Sequence, residues 1–223
     1  MLDVAVFVSG GGTNLQALLD ALADGRLPGV RIAFVLSGRR GCFAEQRAAA
    51  AGIPVEHAVR SECVSPEACD EAVLALLARD RIGLVVLAGF LSYLGPVVVD
   101  AYRDRILNVH PALLPAFGGE GMYGIRPHRA VLDAGVKVTG ATVHFVDESY
   151  DHGPIVLQKA VEVRDDDTPE TLQARVMVQA EQVLLPEAVR LFAQGRLRVE
   201  DRRVVVLPDS PAGALDNQNG GSR

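Results

Sequence analysis

The chain has 223 residues, 49% of them hydrophobic, and a formal net charge of −6; that length and apolar share fit one domain of ordinary core size with a small appendage. The acidic balance argues against a nucleic-acid partner, because the arginines are dispersed apart from the short pairs Arg39-Arg40 and Arg202-Arg203. No apolar run reaches membrane-spanning length, no signal peptide is visible, and Cys42, Cys63 and Cys69 lack a paired spacing, so a cytoplasmic protein with free thiols is expected. Apolar runs at 4–8, 30–36, 55–57, 84–87 and 106–109 alternate with helical patterns at 14–23, 43–51, 66–79 and 96–102. Most of the runs are continuously apolar, as strands covered on both faces are. The order predicts an α/β fold, a doubly wound and mostly parallel sheet with helices on both faces.

After a loop at 111–127 the pattern changes. A short helix at 128–134 leads to segments 138–146 and 154–163, which alternate and read as a partly antiparallel extension of the same sheet. A long helix is predicted from Pro169, with Thr168 as N-cap, to Phe192. Pro186 falls inside it and predicts a kink or a division. Residues 197–207 hold two short strands around Asp201-Arg202, completing a C-terminal β/α extension. From there on Ser, Pro, Gly, Asn and Gln dominate, which predicts a single domain over 1–208 and a disordered tail over 209–223.

The first strand runs into Ser9-Gly10-Gly11-Gly12-Thr13-Asn14-Leu15, where a helix starts. Three glycines let the backbone turn sharply and present N–H groups, and a helix N-terminus adds a positive dipole end. Strand, turn and helix in that order suit a phosphate monoester better than a turn that only starts a helix, with Thr13 or Asn14 as cap. The Gly-Lys-Ser/Thr ending of a P-loop is missing, and Leu15 occupies the third glycine position of a dinucleotide fingerprint.

A second constellation is Asn108-Val109-His110-Pro111. Side chains two apart on a strand share a face, and the carboxyl end of a strand is where α/β proteins bind ligands. Asp151, in the tight loop Asp151-His152-Gly153-Pro154, is placed to reach His110 and orient it. Amide, imidazole and carboxylate together suit a carbonyl that passes through an oxyanion. The other histidines read as ordinary: His57 and His128 as surface or capping groups, His152 as solvated, and His144 as a hydrogen-bonded sheet residue that could still face the cleft. No HxH, HxxxH or Cys/His pair nucleates a metal site, and Gly-x-Ser-x-Gly is absent.

Taken with Val86-Leu87-Ala88-Gly89-Phe90, the continuation to Pro115, and Thr142-Val143-His144-Phe145-Val146, these runs resemble the phosphoribosylglycinamide formyltransferases, folate-dependent enzymes of purine biosynthesis, over residues 2–207. The resemblance implies a Rossmann-like formyltransferase fold. It implies transfer of the formyl group of 10-formyltetrahydrofolate, as co-substrate, to the amine of N1-(5-phospho-D-ribosyl)glycinamide. Gly12, Thr13 and Asn14 would hold the phosphate, and Glu181 the ribose hydroxyls. Leu91, Ser92, Tyr93 and Leu94, with Asn108, would line the folate pocket. Asn108, His110 and Asp151 would be the catalytic set, with Asp151 raising the pKa of His110. No metal is implied, and the partners are small molecules acting on a monomer or homodimer, with no nucleic acid or membrane. Two departures stand out. Relatives often carry arginine at the position of Ser92 and a basic residue near Pro66, cations that favour the folate's glutamyl carboxylates. The loop 118–124 is longer than in some relatives and reads as a mobile cover.

Competing expectations are a formyltetrahydrofolate deformylase, in which water replaces the amine but an N-terminal regulatory domain precedes the first strand, and a methionyl-tRNA formyltransferase, which needs a basic C-terminal domain. A non-catalytic nucleotide-binding module or an NADP-dependent reductase would rest on the glycine loop alone.

Overall fold

Five parallel strands form the centre of the fold in the computed structural model, which describes residues 1–209. They are β1 (Leu2–Val8), β2 (Val30–Ser37), β3 (Val55–His57), β4 (Leu84–Leu87) and β5 (Ile106–His110), in the order β3-β2-β1-β4-β5. The order switches direction at β1, between β2 and β4, and the crevice above such a switch point is the natural ligand site of an open α/β sheet.

Residues of β1 alternate between two cores. Val4, Val6 and Val8 pack with Leu15 and Leu18 of α1 (Thr13–Ala23) and Ala44 and Ala48 of α2 (Phe43–Ala50). Ala5 and Phe7 pack on the other face with Val73 and Leu77 of α3 (Pro66–Arg79) and Val98 of α4 (Pro96–Ala101). Cover on both faces is why these strands carry few polar residues.

Beyond β5 the sheet turns antiparallel through β6 (Val138–Phe145) and β7 (Ile155–Glu162), with α5 (Arg126–Asp133) leading into β6. A hairpin of β8 (Leu197–Glu200) and β9 (Arg203–Val206) joins β7 through Ile155 and Arg203. On β6, Ala141, Val143 and Phe145 enter the core, which leaves Thr142 and His144 on the opposite face, beside Asn108 and His110 of β5.

Thr168 caps the last long helical region in a capping box with Thr171, and Pro169 takes the first turn. The division expected at Pro186 falls earlier. α6 (Pro169–Val176) passes into a π turn at Met177–Glu181, and α7 (Gln182–Ala193) runs through Pro186 unbroken. A proline clashes with the carbonyl four residues before it, here that of Gln182, which already follows the widened turn.

The expectation of three free thiols is also corrected. Cys63 and Cys69 form a disulfide, and only Cys42 is free, buried beneath the sheet. The short turn Arg60–Glu62 and the Ser65 cap fold the chain back on the start of α3, bringing the two Cα atoms to 5.5 Å, within bridging range. Among the described residues no helix is long and apolar enough to cross a membrane. The expected tail lies, from residue 210 on, outside the described residues.

Candidate active site

A cleft of about 420 Å³ opens over the carboxyl ends of β1, β4 and β5. It gathers the residues that the sequence singled out: Gly12, Thr13 and Asn14, the segment Leu91 to Leu94, Asn108, His110, Asp151 and Glu181.

At one end lies the glycine loop. Gly12 has φ of 70°, and a Cβ there would lie 2.7 Å from the Ala44 Cβ, so only glycine lets the loop pack on α2. Gly12 itself is the N-cap of α1, and neither Thr13 nor Asn14 caps the helix. Their side chains reach across the cleft floor instead. Thr13 Oγ1 donates to Met177 Sδ at 3.4 Å, and Asn14 Nδ2 donates to Glu181 Oε2 at 2.8 Å. Glu181 is only 4% exposed. Burial pushes its carboxyl up to about 7, against the opposing hydrogen bond from Asn14. The π turn delivers Glu181 to this point, and the first turn of α1 supplies free N–H donors beside it.

At the mouth, Leu91 and Tyr93 are exposed apolar residues, and Ser92 is half-buried. Leu91 N–H donates to Ser9 Oγ at 3.0 Å, tying this segment to the strand that leads into the glycine loop. Arg60 stacks over the Tyr93 ring at 5.2 Å and donates to the Tyr93 carbonyl and to Asp70. Tyr150 faces Tyr93 with ring centroids 6.3 Å apart.

At the far end, two strands and a loop bring five polar groups together. The antiparallel register sets Asn108 opposite His144 and His110 opposite Thr142. His144 Nδ1 lies 2.8 Å from the Phe145 carbonyl, which can only accept, so this nitrogen carries the proton. Its Nε2 then accepts from Asn108 Nδ2 at 3.1 Å. Asp151 takes a left-handed backbone conformation, φ 55°, that turns its carboxylate inward. Oδ2 lies 3.2 Å from His110 Nδ1 and accepts from the Gly119 N–H at 3.0 Å, while Oδ1 lies 3.4 Å from Asn108 Nδ2. The loop after His110 thus reaches back to the carboxylate through Gly119.

His110 faces two acceptors, Asp151 at Nδ1 and the Phe117 carbonyl at Nε2, 2.8 Å away. A neutral ring can donate to only one of them, whereas the imidazolium donates to both. Burial nevertheless outweighs the carboxylate and holds the His110 pKa below its ordinary value. Asp151 does pull that pKa upward, as expected, but it does not set the net direction. Asp151 itself is pushed up by burial, and the neighbouring His144 ring, the charge of His110 and the Gly119 N–H bring it below the usual carboxylate range.

Two histidines are more central than expected. His144 is a bonded sheet residue that also holds the Asn108 amide in the cleft. His128, expected at the surface, is fully buried in the cleft wall, with neither ring nitrogen hydrogen-bonded within the protein. Burial, and then the proximity of His110, lower its pKa to about 4, so the ring is neutral at physiological pH. The one signal in the sequence was its spacing, three residues before the buried Val131 on the same helix.

The formyl transferase family model matches residues 2–189. A solved glycinamide ribonucleotide transformylase 1 from Symbiobacterium toebii is 43% identical, with a TM-score of 0.87 over 93% of this chain and 95% of that one. Phosphoribosylglycinamide formyltransferase from Escherichia coli (strain K12) is 36% identical over 90% of this chain and 91% of its own length. This chain belongs to the phosphoribosylglycinamide formyltransferase family. The chloroplastic family member of Arabidopsis thaliana is 39% identical over 92% of this chain, which spans 70% of that longer protein. Both motifs that suggested the family at the outset, the glycine loop and the Asn-x-His-Pro strand end, line the one cleft.

Proposed function

We propose that this protein transfers the formyl group of 10-formyltetrahydrofolate to the amine of N1-(5-phospho-D-ribosyl)glycinamide, giving the N2-formyl product and tetrahydrofolate on the route to IMP. The observation that carries this reading is the arrangement of a single cleft. A glycine loop and a buried carboxyl suited to a sugar phosphate lie at one end, an apolar mouth suited to a pterin lies beside it, and the Asn108–His110–Asp151 group stands against both. Family membership supports the same assignment.

In this reading the N–H groups of Gly12, Thr13 and Asn14 hold the phosphate, and Glu181 accepts from the ribose hydroxyls. Leu91, Ser92, Tyr93 and Leu94 line the folate side together with Asn108. The Asn108 amide and His110 Nε2 donate to the formyl oxygen as the amine attacks its carbon, each donor being worth ~3 kcal/mol of transition-state stabilisation. For that, Nε2 exchanges the Phe117 carbonyl for the substrate oxygen, so the loop after His110 shifts as substrates enter. Asp151 orients His110 and helps to move the proton from the amine towards the departing folate nitrogen. Every step is assigned to a side chain and none to a metal. The reading also places the protein in the cytoplasm, as a monomer or homodimer acting on small molecules without nucleic acid or membrane. Its catalytic unit is residues 1–208, which carry all of these groups, with 209–223 as a tail.

The test follows tetrahydrofolate release with and without the ribonucleotide, with chelator in both reactions and mass spectrometry of the product. Fast release only with the amine present, and a formylated ribonucleotide, is expected. Release at full rate without amine, with formate as sole product, makes the protein a deformylase. Loss of activity on chelation revives a metal mechanism.

A further inference from the structure

Behind the glycine loop, on the side away from the cleft, every carbonyl of the three glycines is taken. The Gly10 carbonyl accepts from the Ala44 N–H at 3.1 Å, and the Gly12 carbonyl accepts from the Gln16 N–H at 2.9 Å. Between them, the Gly11 carbonyl accepts from Arg47 Nε at 2.9 Å. Arg47 is the only side chain among these three donors. Its Nη1 donates to Gln16 Oε1 at 2.9 Å, its guanidinium stacks over the Phe43 ring at 5.0 Å, and its Cδ stands 3.3 Å from where a Cβ on Gly12 would be.

All of those partners are neutral. Arg31, Arg40, Arg79 and Arg103 each pair with a carboxylate, whereas Arg47 forms no ion pair among the described residues. A half-buried, uncompensated cation is therefore locked against the glycine loop that lines one end of the cleft. A carbonyl turned away from an anion removes a repulsive dipole, and a fixed positive charge close behind favours the more highly charged form of whatever anion binds.

We propose that Arg47 is a positioning residue for the ribonucleotide phosphate: it pins the Gly11 carbonyl away from the cleft and makes the glycine loop select the phosphate dianion over the monoanion. The inference rests on the reading of the glycine loop given under Proposed function. A phosphate monoester loses its second proton near pH 6, so the selection has a direct signature. The other titratable groups lining the cleft are Glu181 at the same end, and His110, His128, His144, Asp147, Glu148 and Asp151 with three tyrosines elsewhere in it. All are retained when Arg47 alone is changed.

The experiment compares the full-length protein with Arg47→Gln and Arg47→Lys. Steady-state kinetics is combined with ³¹P NMR of the bound ribonucleotide between pH 5 and 8. In the wild-type protein the bound phosphate should titrate below the free ester. In Arg47→Gln its pKa should return towards or above the free value. The ribonucleotide KM at pH 7.5 should rise on the order of tenfold, as expected for losing one charge-assisted contact, while kcat and the folate KM stay within about twofold. Arg47→Lys should keep most of the NMR shift and recover part of the affinity, because it keeps the charge but not the planar fork.

An unchanged ribonucleotide KM and phosphate pKa in a folded Arg47→Gln protein overturns the inference. So does a parallel rise in both KM values with a lowered Tm and no NMR change, which marks a mere prop. Should Arg47→Gln fail to fold, Arg47→Lys decides: a retained NMR shift with a KM raised only in part supports the charge, and a lost shift refutes it. A wild-type protein that binds no ribonucleotide removes the functional reading and this inference together, which separates the two failures.

Discussion

The two ends of the cleft are made of different materials. In the proposed reading the ligand-facing groups at the glycine loop are backbone N–H donors, and the loop's geometry is fixed by a steric fact, the approach of Ala44 to Gly12. At the other end they are the side chains of Asn108, His110, His144 and Asp151, whose geometry is fixed by hydrogen bonds among themselves. Backbone dipoles do not titrate, so the first end offers binding that varies little with its own protonation, Glu181 excepted. The second end is poised by burial against charge, and what it offers is control of where a proton sits. Affinity and turnover should accordingly separate along the cleft.

The largest effect expected is on turnover. His110→Ala and Asp151→Asn should each lower kcat on the order of a hundredfold, from loss of ~3 kcal/mol of transition-state stabilisation, with ribonucleotide binding nearly intact. Stopped-flow rates beside equilibrium titration check this; near-normal turnover in either variant removes that residue from the catalytic group.

Gly12→Val tests the opposite end. It combines a disfavoured left-handed backbone with a clash against Ala44, and should raise the ribonucleotide KM by about tenfold or more while the folate KM hardly moves. Equal weakening of both substrates in a folded variant would break the comparison.

Glu181 sharpens it, because this residue makes the binding end pH-sensitive. Its folded-state pKa of about 7 lies above the ordinary glutamate value of 4.5. Stability contributed by the neutral carboxyl is therefore fully present below about pH 4.5 and is lost as pH rises through 7. Glu181→Gln keeps a neutral group at all pH values. It should stabilise the free protein at pH 8 by on the order of 1–3 kcal/mol, a few degrees in Tm, while raising the ribonucleotide KM. Tm profiles from pH 5 to 8 that run parallel in the two proteins would show that Glu181 does not titrate there.

The smallest effect belongs to the chain end. Removing residues 209–223 should change Tm by no more than about a degree or two and leave activity unaltered, since the described contact it deletes is the surface pair of Arg196 with Asp209. A larger drop would mean that the segment packs on the domain.

What could be read from the sequence follows the same division. Strand ends and glycine turns are local, so the parallel strands, the Gly12–Asn14 loop and the paired Asn108 and His110 were all visible in it. Thr168 was equally legible, because a cap is a contact within one turn. For His144 the bonded sheet position was legible but the Asn108 partner was not, since that depends on an antiparallel register between strands more than thirty residues apart. His128 misled because Arg126 and Arg129 flank it and suggest a surface helix, although the buried side of α5 carries Pro127, His128 and Val131. Cys63 and Cys69 met through a turn that neither residue announces.

The π turn at Met177–Glu181 has a consequence for how this protein tolerates length changes. A π turn holds one residue more than an α turn, and each residue of an α-helix advances about 100° around its axis. Deleting Val178, an exposed residue of that turn, would let the region close into one continuous helix. Either Glu181 would then swing away from Asn14, or the buried row of Leu184, Leu185, Ala188 and Val189 would rotate out of the core. The extra residue acts as a phase shifter between a helix that serves the cleft and one that serves the core, so a single-codon deletion there should be worse tolerated than most substitutions at the same position.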